Sequence, residues 1–482
     1  MHKEHIELRL GNKDALLELR GLFRDIGGHE LFLVGGCVRD LLLGREPKDY
    51  DLCTDATPDE VKHIVDSANA KEDGRYSIIP TGIKHGTVTI LDRKSNESYE
   101  CTTYRVDGDY SDCRHPDDIS FTGSLEEDLR RRDFTVNSFA YDFENNDVIM
   151  LDESFMSDLR MGVIRCVGDP AERFNEDALR MLRAIRFAAQ MGFSIDKCTY
   201  EAIKAKANAI RHVSKERIRD ELTKIVMSDA PQMLELFCVS GLEAAAFSIN
   251  GSWTPFSDML GCGKHNRYHY ADTFHHTMDV IKAVPKDFSL RWAALFHDIG
   301  KPSSLSVDDE GWEHFIGHAD RSVTIAEALM SLLKFPNAEI ERILKFVKWH
   351  DYQLAEASNK KFKQRIVDIG VEDFLAFLKL READALSHAL SAETSRAIDC
   401  VSICKDRFVR YLKEKPPVTL KDLALKGTDV IAEGGIKGPM VGQCLNWMLD
   451  KVLENPADNT REKLLEYLQE FKDTFLRENY LQ

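Results

Sequence analysis

The segment that most constrains this chain runs Leu33-Val34-Gly35-Gly36-Cys37-Val38-Arg39-Asp40 and resumes at Lys48-Asp49-Tyr50-Asp51-Leu52. An apolar run, Leu31 to Val34, ends in two adjacent glycines and reads as a buried strand; a helical pattern starts at Val38–Leu43. Residues i and i+2 of a strand face the same side. Asp49 and Asp51 can therefore aim two carboxylates at one point, an arrangement that suits two magnesium ions about 3.5–4 Å apart. The glycines permit close backbone approach, so that the turn amides can cradle a phosphate. Metal ligands and a triphosphate cradle in one short unit predict nucleotidyl transfer.

With 482 residues the chain is too long for one core and predicts several domains. Its 43% hydrophobic and 30% charged content is that of a globular protein. No apolar run approaches a membrane span, and Met1-His2-Lys3-Glu4-His5 has no apolar leader pattern, so a cytoplasmic location is expected. The 11 cysteines form no CxxC pair. Cys400 and Cys404 suit one helix face, and reduced thiols are the expectation. A net charge of −17 speaks against a strongly basic nucleic-acid coat. Between Arg160 and Lys224, however, 14 Lys or Arg face 9 Asp or Glu, a local positive balance that can hold RNA.

Along the chain, residues 13–26 have helical spacing and stop at Gly27-Gly28. Asp51–Cys53 lies on the next strand, and Thr57-Pro58-Asp59-Glu60 is a helix start with Thr57 as N-cap. Gly86–Leu91 and Ser98–Tyr104 alternate as strands, whereas Val106–Ser120 is polar and reads as a mobile loop. Beyond residue 150 the patterns are almost wholly helical. No internal repeat is evident.

The order strand, GG, helix, DxD resembles the nucleotidyltransferase superfamily that shares a fold with DNA polymerase beta. The fuller string GGCVRDLLLGREPKDYDLCT resembles the bacterial CCA-adding tRNA nucleotidyltransferase and poly(A) polymerase family. Gly35, Gly36 and Arg39 would then sit at the nucleotide. The resemblance also implies a third acid, Glu100 in Tyr99-Glu100-Cys101, beside Asp49 and Asp51; spacing alone would leave it an exposed strand glutamate. Arg132, Asp133 and Asn137 match the family's RRDFTxNA motif, with Ser138 where alanine is usual.

Glu176-Asp177-Ala178-Leu179-Arg180-Met181-Leu182-Arg183-Ala184-Ile185-Arg186-Phe187 matches the family's EDxxRxxRxxRF motif. On a helix, Asp177 and Arg180 would be i, i+3 neighbours, by spacing alone an ordinary ion pair. The match assigns them to base selection, with Arg183 and Arg186 near the nucleotide. A carboxylate beside a guanidinium complements the Watson–Crick edges of cytosine and adenine. Uracil and guanine present a carbonyl where an amino group is needed, which leaves a carboxylate unpaired.

A second set of residues comprises His275-His276-Thr277, then His297-Asp298-Ile299-Gly300-Lys301, His318, His350 and Asp384. Histidines and carboxylates spread over several helices suit divalent transition ions. The HDIGK string resembles the HD phosphohydrolase superfamily, which implies His276, His297, Asp298 and Asp384 as core ligands. His318 and His350 would serve a second ion, and water activated there would hydrolyse phosphoesters; an inactive HD-type scaffold carries the same string. In the last segment, Glu433-Gly434-Gly435-Ile436-Lys437-Gly438-Pro439 reads equally as a plain turn or as a backbone approach to phosphate, in a stretch resembling the family's tRNA-gripping tail.

The fold class expected is α+β: a polymerase-beta-like nucleotidyltransferase head with a mixed sheet over 1–150, a helical neck over 151–225, a helical body with an HD domain over 226–400, and a helical tail over 401–482. The implied partners are tRNA, CTP and ATP, and the implied cofactor is magnesium in the head. Poly(A) polymerase, partial CC-only or A-only enzymes, and an HD phosphohydrolase with a sensor head remain as rivals. Ile79-Pro80-Thr81-Gly82-Ile83-Lys84-His85-Gly86 resembles the CCA-adding branch, and intact Asp49 and Asp51 oppose a sensor head.

Overall fold

A computed structural model describes all residues except 71–73, 84–85, 109–118, 249–250, 252, 265–270, 389–391, 415–416 and 479–482. The chain divides into two compact units. One comprises Met1–Ser257 with Leu332–Lys334, the other Asp258–Ser331 with Phe335–Gln482.

The first unit opens with β1 (His2–His5) and α1 (Lys13–Leu22). The helix predicted over 13–26 changes at Phe23 to a wider π-type turn and closes on Gly28, left-handed at φ 70°. Then follow β2 (Leu31–Val34), α2 (Gly36–Leu42), β3 (Tyr50–Thr54) and α3 (Pro58–Asn69). All four residues of β2 are buried, as a strand inside a sheet covered on both faces requires. Thr57 caps α3 as predicted: its side chain accepts from the Glu60 amide, and Glu60 accepts from the Thr57 amide at 2.8 Å.

The strands β4 (Tyr76–Gly82), β5 (Thr87–Asp92) and β6 (Glu97–Thr103) extend the sheet. β7 (Arg105–Asp107) and β8 (Ile119–Phe121) pair with each other, and α4 (Leu125–Arg130) follows. Most of the loop predicted over Val106–Ser120 lies outside the described residues. With β9 (Phe139–Asp142) and β10 (Asp147–Met150), the sheet order is β1-β10-β9-β2-β3-β6-β5-β4. It is a mixed sheet, because β3 and β6 pair in parallel.

Beyond residue 150 come α5 (Ser154–Met161), β11 (Val163–Ile164), α6 (Pro170–Glu176), α7 (Leu179–Met191), β12 (Ser194–Ile195), α8 (Lys197–Lys206) and α9 (Lys215–Val226). The apolar face of α7 is buried from Leu179 to Met191, and α7 packs along α9.

The second unit is helical. It contains α10 (Thr273–Ala283), α11 (Phe288–Phe296), a short hairpin of β13 (Ser306–Val307) and β14 (Glu313–His314), α12 (His318–Leu332), α13 (Asn337–Trp349), α14 (Asn359–Ile369) and α15 (Phe374–Leu386). After α16 (Ala392–Glu414), the helices α17 (Gly427–Gly434), α18 (Pro439–Glu454) and α19 (Arg461–Glu478) bury their own cluster, including Val430, Met448 and Leu468. Gly434 packs on Leu468, where an added Cβ would approach within 2.9 Å. Gly435 and Gly438 are left-handed at φ 69° and 65°. These glycines thus make the turn between α17 and α18. The ten described cysteines are free, with Cys404 buried on α16. No helix of the described residues is long and apolar enough to cross a membrane.

Candidate active site and candidate metal centre

Three carboxylates come together at β3 and β6, two inner strands of the head sheet. Asp51 on β3 lies opposite Glu100 on β6 in the parallel register. Asp49 stands in a bend one residue before β3, not on the strand itself. All three line a cavity of about 520 Å³, together with Gly36, Arg39 and Lys48. Burial, then the Glu100 charge and more weakly Asp49, push the Asp51 carboxyl up to about 6, against the pull of Arg132. Like charges crowded in a half-dry site are what a divalent cation relieves, so the donor set fits such an ion.

The glycine turn has a steric reason. Gly35 is left-handed at φ 80°, and a Cβ there would approach the Arg132 Nη1 within 3.0 Å. Arg132 is in turn paired with Asp128 at 3.0 Å. A continuous polar relay connects α2 to α7. Arg39 Nη1 donates to Asn137 Oδ1 (2.6 Å), Asn137 Nδ2 donates to Asp133 Oδ1 (3.1 Å), and Arg183 Nη2 and Nε donate to Asp133 Oδ2 (2.6 and 2.9 Å). Burial alone would raise the Asp133 carboxyl, but Arg183 and Asn137 outweigh it and hold it down at about 2.

Three guanidiniums surround the Phe187 ring: Arg186 at 3.7 Å, Arg183 at 5.4 Å and Arg39 at 5.5 Å from its centroid. Arg186 also pairs with the buried Glu221 of α9, Nε to Oε2 2.6 Å. Burial pushes its pKa down to about 10 against that carboxylate. Such a concentration of cations beside a carboxylate site suits a polyphosphate.

Asp177 and Arg180 do not share a helix. Asp177 is extended (φ −141°, ψ 107°) at the break between α6 and α7. Its Oδ1 accepts from the Leu179 amide at 2.9 Å, which turns the chain into α7. Arg217 Nη2 of α9 holds its Oδ2 at 2.7 Å. Arg180 is paired with Glu176. The two side chains are thus positioned by separate partners and not by each other. The α7 residues that line the cavity are Phe187, Gln190 and Met191. Phe187 closes the EDxxRxxRxxRF string, whereas sequence reading missed Gln190 and Met191 as well as Arg217 and Glu221; the i, i+4 spacing of the last two was the available signal.

In the second unit, His276, His297, Asp298, His318, His350 and Asp384 converge. Asp298 has one oxygen on each side of the cluster. Its Oδ2 lies 3.2 Å from His297 Nε2 and 3.8 Å from His276 Nε2, and its Oδ1 lies 3.4 Å from His318 Nε2 and 3.6 Å from His350 Nε2. Asp384 Oδ1 is 3.1 Å from His276 Nε2 and 3.7 Å from His297 Nε2.

The Nδ1 atoms of His276, His297, His318 and His350 face the carbonyls of Ser387, Ala294, Phe315 and Val347 at 2.7–3.3 Å. A carbonyl only accepts, so each Nδ1 carries the proton, and in the neutral ring each Nε2 is left with an inward lone pair for an ion. The Nε2 atoms of His318 and His350 face each other at 3.1 Å, close to the spacing of two ligands on one ion at about 2.1 Å. His297 Nε2 is buried without an aligned hydrogen-bond partner among the described residues. The donor set therefore fits divalent ions. Lys301 Nζ, 2.6 Å from Asp298 Oδ2, balances the charge there. Lys301 and His388 also line the adjoining cavity of about 680 Å³, and the motif reading had not picked out His388.

A mixed sheet that sets three carboxylates behind a glycine turn defines a nucleotidyltransferase with a polymerase-beta-like head. Residues 31–165 match the family model "Poly A polymerase head domain", and residues 304–468 match that of tRNA nucleotidyltransferase domain 2. A CCA-adding enzyme of Levilactobacillus brevis is 46% identical over 438 residues, 91% of this chain and 93% of that protein. One from Lactobacillus delbrueckii subsp. bulgaricus is 32% identical over 92% of this chain and 94% of its own length. The crystal structure of the Bacillus stearothermophilus CCA-adding enzyme in complex with CTP superposes with a TM-score of 0.70 at 26% identity, over 98% of this chain and 100% of that one. The chain belongs to the CCA-adding enzyme family.

Proposed function

We infer that this protein adds C, C and A to the 3′ end of tRNA from CTP and ATP, without a nucleic-acid template, in the cytoplasm. The observation that carries this reading is the pairing of Asp51 with Glu100 in register, with Asp49 beside them on the same cavity, behind the Gly35-Gly36 turn in a chain of this family. Asp49 and Asp51 would hold magnesium, which when bound neutralises triphosphate charge and acidifies the attacking hydroxyl. The tRNA 3′-oxygen forms its bond to the α-phosphorus of the nucleotide. The bond from that phosphorus to the bridging oxygen breaks, and pyrophosphate leaves. Glu100 accepts the hydroxyl proton. Gly35, Gly36, Arg39, Arg132, Arg183 and Arg186 bind the phosphates, with Asp133 and Asn137 fixing the arginines that flank them.

Asp177 accepts from the exocyclic amine of cytosine or adenine while Arg180 donates to the adjacent ring nitrogen. Residues 1–150 act as head, 151–225 as neck, 226–400 as body and 401–482 as tRNA-binding tail. The test uses tRNA lacking its 3′ end, with labelled nucleotides added singly and in pairs. Two C additions followed by one A support the reading. Repeated A addition, or CC or A alone, would replace it with one of the rival activities.

A second reading concerns the body, where the inward-facing histidines support an HD-type centre. His276, His297, Asp298 and Asp384 would hold one transition ion, and His318 and His350 would hold a second with Asp298. When bound, these ions polarise a phosphoester toward hydrolysis. Release of phosphate or opening of cyclic phosphodiesters in the presence of transition metals tests it.

A further inference from the structure

Resting on the reading of the body cluster as a metal centre, we propose that His388 is a further protein ligand, with His276 and Asp384, to the ion of that centre, on the side that faces the cavity. His388 lies one turn beyond Asp384, just past the end of α15, and outside the HDIGK string. Its Nδ1 is 4.0 Å from Asp384 Oδ1, and its ring centroid is 4.8 Å from that of His276. The donor atoms of His276, Asp384 and His388 lie within 4.8 Å of one another, as do those of His276, His297 and Asp298.

Both sets contain His276. With Nδ1 committed to the Ser387 carbonyl, His276 has one lone pair, and one lone pair serves one ion. The two sets therefore meet at the His276 lone pair, with Asp384 and His388 on one side of it and His297 and Asp298 on the other. Two ligands of one ion at about 2.1 Å cannot stand farther apart than about 4.2 Å. The pairs 276–384, 297–298, 297–384, 276–298 and 384–388 measure 3.1, 3.2, 3.7, 3.8 and 4.0 Å.

Burial then decides which side is open. His297 and Asp298 are almost fully buried, Asp384 and His388 are about one-fifth exposed, and Asp298, Asp384 and His388 all line the cavity. His388 stands on the cavity side of the cluster, where a phosphoester oxygen entering from the cavity would reach the ion. The ammonium of Lys301, now 2.6 Å from Asp298 Oδ2, is the counter-charge that a divalent ion would displace.

The experiment uses the full chain carrying Asp49→Ala and Asp51→Ala, so that only body ions are counted. Cobalt or manganese is titrated in, with stoichiometry from elemental analysis and coordination from the cobalt visible spectrum. Adding His388→Ala is expected to weaken one ion by at least the roughly 10–100-fold typical of losing an outer-shell partner, and to change the cobalt band. His318→Ala should instead weaken the other ion and leave that band unaltered. His388→Cys should recover part of the affinity and introduce a thiolate-to-cobalt charge-transfer band, which no purely structural role produces. Equal affinity and an unchanged spectrum for His388→Ala would overturn the assignment of His388 alone. A parent chain that binds no ion in the body would overturn the metal reading together with it.

Discussion

Replacing Asp133 with asparagine should destabilise the first unit by roughly 2–3 kcal/mol at neutral pH, and this loss should vanish in acid. The Asp133 carboxylate is buried, and its Oδ2 receives two guanidinium hydrogen bonds from Arg183 at 2.6 and 2.9 Å. Its pKa is about 2 against the ordinary 3.8. At about 1.4 kcal/mol per pKa unit, that difference corresponds to roughly 2–3 kcal/mol favouring the ionised form. Asparagine keeps the shape and the carbonyl acceptor for the Phe134 amide but removes the charge.

The sign follows from the depressed folded pKa. The stabilisation is fully present above the unfolded pKa, near 4, and is lost as pH falls toward 2. For a unit of this size the loss corresponds to roughly 5–10 °C in melting temperature. The assay is calorimetry of the full chain at pH 7, 5 and 3, following the transition of the first unit. Wild type and variant should differ by a constant amount from pH 7 to 5 and then converge. The double variant Asp133→Asn with Arg183→Gln should regain part of the loss, because no half-buried guanidinium is left without its carboxylate. Melting of the single variant within about 1 °C of wild type, or a gap that widens in acid, would refute the argument.

Asp49→Ala or Asp51→Ala should abolish nucleotide addition with folding intact, and Glu100→Gln should slow it by about 10²–10⁴-fold; full CTP incorporation by either aspartate variant at normal magnesium would sink the metal assignment. Asp177→Ala or Arg180→Ala should relax the preference for CTP and ATP over UTP and GTP. Arg217→Ala should shift it in the same direction by freeing the Asp177 carboxylate, and four-nucleotide incorporation assays decide both. His297→Ala with Asp298→Ala should remove any metal-supported phosphoester hydrolysis while CTP and ATP addition persists; loss of addition with cooperative melting retained would show that the two chemistries are coupled.

The sequence by itself determined the local elements of this protein. The apolar run Leu31–Val34, the paired glycines, the Thr57-Pro58 cap and the alternation through Ser98–Tyr104 are each set by neighbours a few residues away, and each forms where its pattern predicts. The pairing of Asp51 with Glu100 was legible through the family motif, since spacing alone left Glu100 an exposed strand residue. What only the tertiary structure decided are the partners across tens of residues. Periodicity would keep Asp177 on one helix with Arg180; instead, the bond from the Leu179 amide breaks the helix there, and Arg217, forty positions on, takes the carboxylate. Glu221 for Arg186, Asp133 for Arg183, and His388 at the rim of the histidine cluster belong to the same class. Which charges meet depends on which helix lies beside which, and that is settled by burial of apolar faces such as that of α7, a non-local quantity that no short string of residues encodes.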